Sequence, residues 1–74
     1  MNRKAFTVTK SWGNCYIRVK SIATGNLYDV RYTSQIGADD GDTVSVLIDG
    51  NENWKTIINE RTGNSATVSS ISRV

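Results

Sequence analysis

CYIRVKSIATGNLYDVRYTS, residues 15–34, decides the fold: two runs of alternating apolar and polar residues flank Ile22-Ala23-Thr24-Gly25-Asn26. Period-2 alternation around a Gly-containing turn is the pattern of a β-hairpin with one buried face. With Ile22 placed opposite Leu27, Val19 opposes Val30, Ile17 opposes Tyr32 and Ser21 opposes Tyr28 on the face turned to the core. On the other face that register sets Lys20 opposite Asp29, an ion pair, and Arg18 opposite Arg31, a like-charge pair that costs stability.

Outward from the hairpin the same grammar continues. Turn signals stand at Trp12-Gly13-Asn14, Thr24-Gly25-Asn26, Gly37 to Gly41, Asp49-Gly50-Asn51 and Thr62-Gly63-Asn64. Between them lie six strand candidates: Ala5–Ser11, Cys15–Ile22, Leu27–Ser34, Thr43–Asp49, Trp54–Glu60 and Ala66–Arg73. Phe6, Val8, Lys10 and Trp12 alternate with Ala5, Thr7, Thr9 and Ser11, and Val44, Val46 and Ile48 alternate with Thr43, Ser45 and Asp49. Val, Ile and Thr supply 22 of the 74 residues and Ala and Leu only 6, a balance that suits pleated surfaces better than helices. Only residues 34–40 have room for a helical turn, and the glycine and acids there favour a loop with at most a 3₁₀ turn. With no proline to blunt an exposed sheet edge, closure is the best protection. The expectation is an all-β, single-domain barrel over residues 1–74, of five to six short antiparallel strands, SH3-like or OB-like, with little or no helix.

Several chemistries are excluded by inventory. One Cys and no His leave no internal disulfide, no Cys/His zinc site, no Ser-His-Asp triad and no Cys-His dyad. No apolar run approaches the ~20 residues that span a membrane, and the basic start at Arg3-Lys4 is followed by alternating residues where a signal peptide needs an apolar stretch. The lone Cys15 and the lack of an Asn-x-Ser/Thr sequon suit a reducing interior, so the expected location is cytoplasmic.

From Gly41 the order Gly-Asp-Thr-Val-Ser-Val-Leu-Ile-Asp-Gly, then Trp54, Thr-Gly-Asn and Ala66-Thr67-Val68 resembles the SH3-like barrels of the Tudor and KOW type. The resemblance covers less than half the chain and implies a small barrel; an OB-like barrel fits comparably, and no site residue is carried over. Tudor-type barrels read methylated side chains with an aromatic cage, for which this stretch offers only Trp54 and one or two Tyr. A second likeness is internal. Trp12 to Val30 and Trp54 to Val68 share the order Trp, strand, Thr-Gly-Asn, strand, but the offset is 42 at the Trp and 38 at the Thr-Gly-Asn, which reads as reuse of one hairpin design.

Charge points to function. Net charge is only +2, yet residues 1–37 hold six basic residues against Asp29 alone, while residues 38–74 hold three against six acids. Asp49, Asn51, Asn53 and Glu60 fall on positions 1, 3, 5 and 12 of a calcium loop, but position 6 is Trp54 where Gly is needed and the flanks are strands, so the stretch reads as a polar turn. Asp39, Asp40 and Asp42 read as a solvated loop, and Cys15 as a small packed side chain. On the outward side of the hairpin Tyr16, Arg18, Lys20 and Arg31 form a cationic strip beside an aromatic, extended by Lys10 and by Arg3-Lys4. An anion between Arg18 and Arg31 would relieve their repulsion; the competing reading pairs them with acids such as Glu60 or Asp42. Trp54 is expected in the core, with Trp12 left open. The expected function is a non-catalytic binding module that holds single-stranded nucleic acid through Tyr16, Arg18, Lys20, Arg31 and Lys10. The alternative is a protein-interaction module, a small inhibitor or accessory protein working through a sheet edge or a homo-oligomer interface. Neither requires a cofactor, a metal or a membrane.

Overall fold

The computed structural model describes residues 2–13 and 15–74. Six strands, β1 (Asn2–Ser11), β2 (Tyr16–Ser21), β3 (Leu27–Tyr32), β4 (Thr43–Ile48), β5 (Trp54–Asn59) and β6 (Ser65–Arg73), close into a barrel in the order β1-β2-β3-β6-β5-β4. Every neighbouring pair is antiparallel. The expected all-β barrel is what forms, from two three-stranded meanders; an OB barrel is instead a five-stranded Greek key. No helix among the described residues is long and apolar enough to cross a membrane.

The core is the alternating set read from the strands: Phe6, Val8, Ile17, Val19, Val30, Tyr32, Val44, Val46, Ile48, Ile57 and Ala66 are buried. Trp54 and Tyr28 pack against this cluster half-buried, and Trp12 stands outside it.

The hairpin register differs from the expected one by two residues. Ile17 opposes Val30, Arg18 opposes Asp29, Val19 opposes Tyr28 and Lys20 opposes Leu27. The inward face is kept, because a two-residue slip preserves side-chain parity, but every cross-strand partner changes. Arg18 therefore does not face Arg31, and Lys20 does not face Asp29. The cause lies in the turn. A two-residue type I′ turn at Thr24-Gly25 needs φ > 0 at both positions, which a β-branched Thr resists. The chain instead loops through Ile22, Ala23, Thr24 and Gly25, with only Gly25 at positive φ (79°). The loop is closed by the Gly25 N–H donating to Ser21 O and the Ser21 N–H to Asn26 O, both at 2.8 Å. Ile22, which by parity belongs to the outer face with Arg18 and Lys20, is 61% exposed.

The same hairpin is built a second time. β2 and β5 begin and end 38 residues apart (Tyr16–Ser21, Trp54–Asn59), and β3 and β6 begin 38 apart at Leu27 and Ser65. Arg18↔Asp29 corresponds to Thr56↔Thr67, and Phe6↔Ser21 to Val44↔Asn59. The loop bonds match as well: the Gly63 N–H donates to Asn59 O and the Asn59 N–H to Asn64 O, with Gly63 at φ 75°. Exchanging the halves turns the β1–β4 pair Ala5↔Ser45 into Thr43↔Thr7, which is also a pair of that seam. The barrel is thus two equivalent meanders related by an approximate two-fold axis, and Trp54 occupies the position of Tyr16, not of Trp12.

This equivalence predicts matched costs. A Cβ built at Gly25 meets only Lys20 Cε at 3.9 Å and one at Gly63 meets nothing within 4 Å, so Gly25→Ala and Gly63→Ala differ little in crowding. Each is expected to lose about 1 kcal/mol through the left-handed backbone alone, read by urea unfolding. A gap between them larger than about 1 kcal/mol would break the equivalence of the two loops.

The two-fold is broken at the barrel ends. Residues 33–42 join the meanders across one end and push Ile36 (0% exposed) and Ala38 into the core. Asn59 Nδ2 and Thr62 Oγ1 donate to Ile36 O (3.0 and 2.9 Å), and Arg61 Nη2 donates to Gly37 O at 2.7 Å. No crossover covers the opposite end, where Phe6, Tyr28 and Trp54 pack together instead, with centroids 4.7–6.0 Å apart.

Candidate nucleic-acid interface

The outer face of β1, β2 and β3 owes its composition to a local irregularity. Strict alternation in β1 puts Lys10 and Trp12 on the side of Phe6 and Val8. Between Val8 and Lys10 the β1–β2 register shifts by one residue, so that Val8 opposes Val19 but Lys10 opposes Arg18. The Thr9 hydroxyl donates to Arg18 O at 3.2 Å across this bulge. A bulge re-aims the residues beyond it, and here it turns Lys10 and Trp12 outward.

Tyr16, Arg18, Lys20, Arg31 and Lys10, the residues expected at the site, all lie on this outer face. Lys10 is beside Arg18, Tyr16 beside Arg31, and Lys20 beside Leu27 at the turn end. Trp12 (42% exposed) stacks on Tyr16 at a 4.7 Å centroid distance and 23°. Arg31 Cζ lies 4.3 Å from the centre of the Tyr16 ring, and Arg18 Cζ 5.3 Å from that of Trp12. Cation–π contacts of this kind contribute roughly 0.5–1 kcal/mol at exposed sites. An open groove of about 650 Å³ runs past Lys10, Trp12, Arg18, Lys20 and Leu27.

The observed register supplies the electrostatics. Arg18 Nε and Nη2 donate to the two carboxylate oxygens of Asp29 at 2.7 and 3.3 Å, and Tyr16 Oη donates to Asp29 Oδ2 at 3.2 Å. Arg18 holds the Asp29 carboxyl below the ordinary carboxylate range, helped by the Tyr16 hydroxyl, and Asp29 in turn raises Arg18. The anion expected between Arg18 and Arg31 has no such site, because Arg18 is matched within its own hairpin.

Of the acids of the second half, Asp40 comes to the β1 edge of this face, where its Oδ1 accepts from the Ser11 N–H at 2.8 Å, and others go elsewhere. Glu60 pairs with Arg3 and accepts from Ser45, which removes Arg3 from the basic strip. Asp42 pairs with Arg61 at 3.0 Å and is held low first by the backbone N–H of Asp39, then by Arg61 and Asn59. Asp49 accepts from the backbone N–H of Asn51 and Asn53 and pairs with Lys55, so the calcium-like spacing is satisfied inside its own turn. Among the described residues, no carboxylate lies within 4.0 Å of Lys10, Lys20 or Arg31.

Two contributors were not visible in the sequence. Trp12 needed the bulge, which no residue type announces; Asp29 needed the longer turn, for which Thr24 was the available signal. No protein-family model matches the chain, and neither the curated proteins nor the solved structures contain a match to it.

Proposed function

We propose that this protein is a non-catalytic binding module whose outer β1–β3 face holds single-stranded nucleic acid. The observation that carries the reading is the repeated hairpin. Where the first has Arg18, Lys20, Asp29 and Arg31, the second has Thr56, Ile58, Thr67 and Ser69, with matching bounds for β2 and β5, matching starts for β3 and β6, and the same loop bonds. The scaffold therefore forms without charge at these positions, and their charge calls for a ligand. Unpaired Lys10, Lys20 and Arg31 supply phosphate contacts, and exposed Trp12 supplies a stacking surface. Closure works against the sheet-edge alternative, since every strand has two neighbours.

Three phosphate contacts on a single strand give a slope of log K against log salt of about −2, hence roughly 15-fold weaker binding at 200 than at 50 mM salt. Fluorescence anisotropy with a labelled oligothymidine measures it. The K10A/K20A/R31A triple variant is expected to abolish measurable binding at ~50 mM salt. No binding of the unaltered protein at ~50 mM salt would remove the proposal.

A further inference from the structure

An acid in the middle of a basic face weakens that face for phosphate, and the second hairpin builds the same strand pair with Thr67 at the corresponding position. Asp29 is therefore an expense that neither the fold nor simple charge attraction explains. Its side chain is 18% exposed and engages both prongs of Arg18 and the hydroxyl of Tyr16. The fork fixes the plane of Arg18, which reaches the Trp12 ring; the hydroxyl bond fixes the Tyr16 ring, which stacks on Trp12. Both constraints converge on Trp12. Strand order sets Arg31, Tyr16 and Trp12 in a column across β3, β2 and β1; β4 pairs with β1 only as far as Thr7, beyond which residues 40–42 run along Val8 to Ser11, with Asp40 accepting from the Ser11 N–H, and Trp12 itself stays 42% exposed.

We infer that Asp29 is a positioning residue that makes this face a stacking platform, on which an unpaired nucleobase extends the Arg31–Tyr16–Trp12 column at Trp12. The inference rests on the nucleic-acid reading above and narrows its ligand to strands with unpaired bases, since the bases of a duplex already have both faces covered.

Asp29→Asn separates this from a plain charge patch by sign. On a charge patch, removing an acid tightens binding. For a positioning residue, anisotropy titrations should show the affinity for oligothymidine falling about tenfold at constant salt slope. The unaltered protein should prefer oligothymidine about tenfold over an abasic strand of equal length and over the matching duplex, and both Asp29→Asn and Trp12→Ala should lose that preference. The R18T/D29T double variant installs the pair that Thr56 and Thr67 already form in the second hairpin. It keeps the test available if Asp29→Asn fails to fold, and it should also lose the base preference. Equal binding of thymidine and abasic strands by the unaltered protein, or tighter binding by Asp29→Asn with the preference intact, overturns the inference and leaves the nucleic-acid reading standing. Binding of neither strand overturns both.

Discussion

Ile36→Ala is expected to lower the unfolding free energy by about 3 kcal/mol, within the 2–5 kcal/mol range of buried Ile truncations. Ile36 lies in the crossover between the meanders, where loop residues are ordinarily exposed, yet its side chain is fully buried. Its carbonyl accepts from Asn59 and Thr62, so the backbone cannot slide inward to fill the space left by the lost atoms. A domain this size has roughly 4–11 kcal/mol of stability in all, so the loss is a large fraction of it. The comparison is Ile22→Ala: the same side chain, 61% exposed in a turn, should change stability by no more than about 0.5 kcal/mol. Urea unfolding of both variants measures the difference, and a cost at Ile36 under about 1 kcal/mol would mean that the crossover is not part of the core.

Phe6→Ala should cost more, about 3–5 kcal/mol. Phe6 is 2% exposed and packs edge-on to Tyr28 at 6.0 Å and tilted against Trp54 at 4.7 Å. Its counterpart in the second meander is Val44, at the end where the crossover contributes Ile36. A small residue suffices there because another segment fills the volume. At the Phe6 end the mouth already contains a partly open cleft of about 170 Å³ bordered by Lys4, Tyr28, Trp54 and Glu52, and shortening Phe6 deepens it towards the core. Phe6→Val, which copies the counterpart residue, should therefore still destabilise by more than about 1 kcal/mol; thermal unfolding followed by circular dichroism reads both variants.

The strands were legible because their alternation is strict and their turns are marked by glycine: all six appear, five of them within one or two residues at each end. Partners were harder to read. A two-residue slip leaves every apolar residue inside, so the pattern alone cannot distinguish the Arg18↔Asp29 register from Arg18↔Arg31. Thr24 carried the missing information, through the cost of a β-branched residue at positive φ. Nothing comparable marked Thr9, where one extra residue reversed the facing of Lys10 and Trp12. Nor did composition show that Ile36 would leave a loop for the core, because that depends on the open barrel end it covers. The internal repeat was obscured by Trp12, whose match to Trp54 gave the wrong offset; the strand bounds give 38.

The approximate two-fold has a consequence for assembly. Both seams between the meanders, β1–β4 and β3–β6, carry the same ladders whether their strands belong to one molecule or to two. What keeps closure intramolecular is the length of residues 33–42, which sets the local concentration of one meander at the other. Shortening that segment enough to prevent return, while keeping Ile36 and Ala38 for the core, would redirect each meander to a second molecule, giving an exchanged dimer of two barrels and displaying two basic faces on one particle.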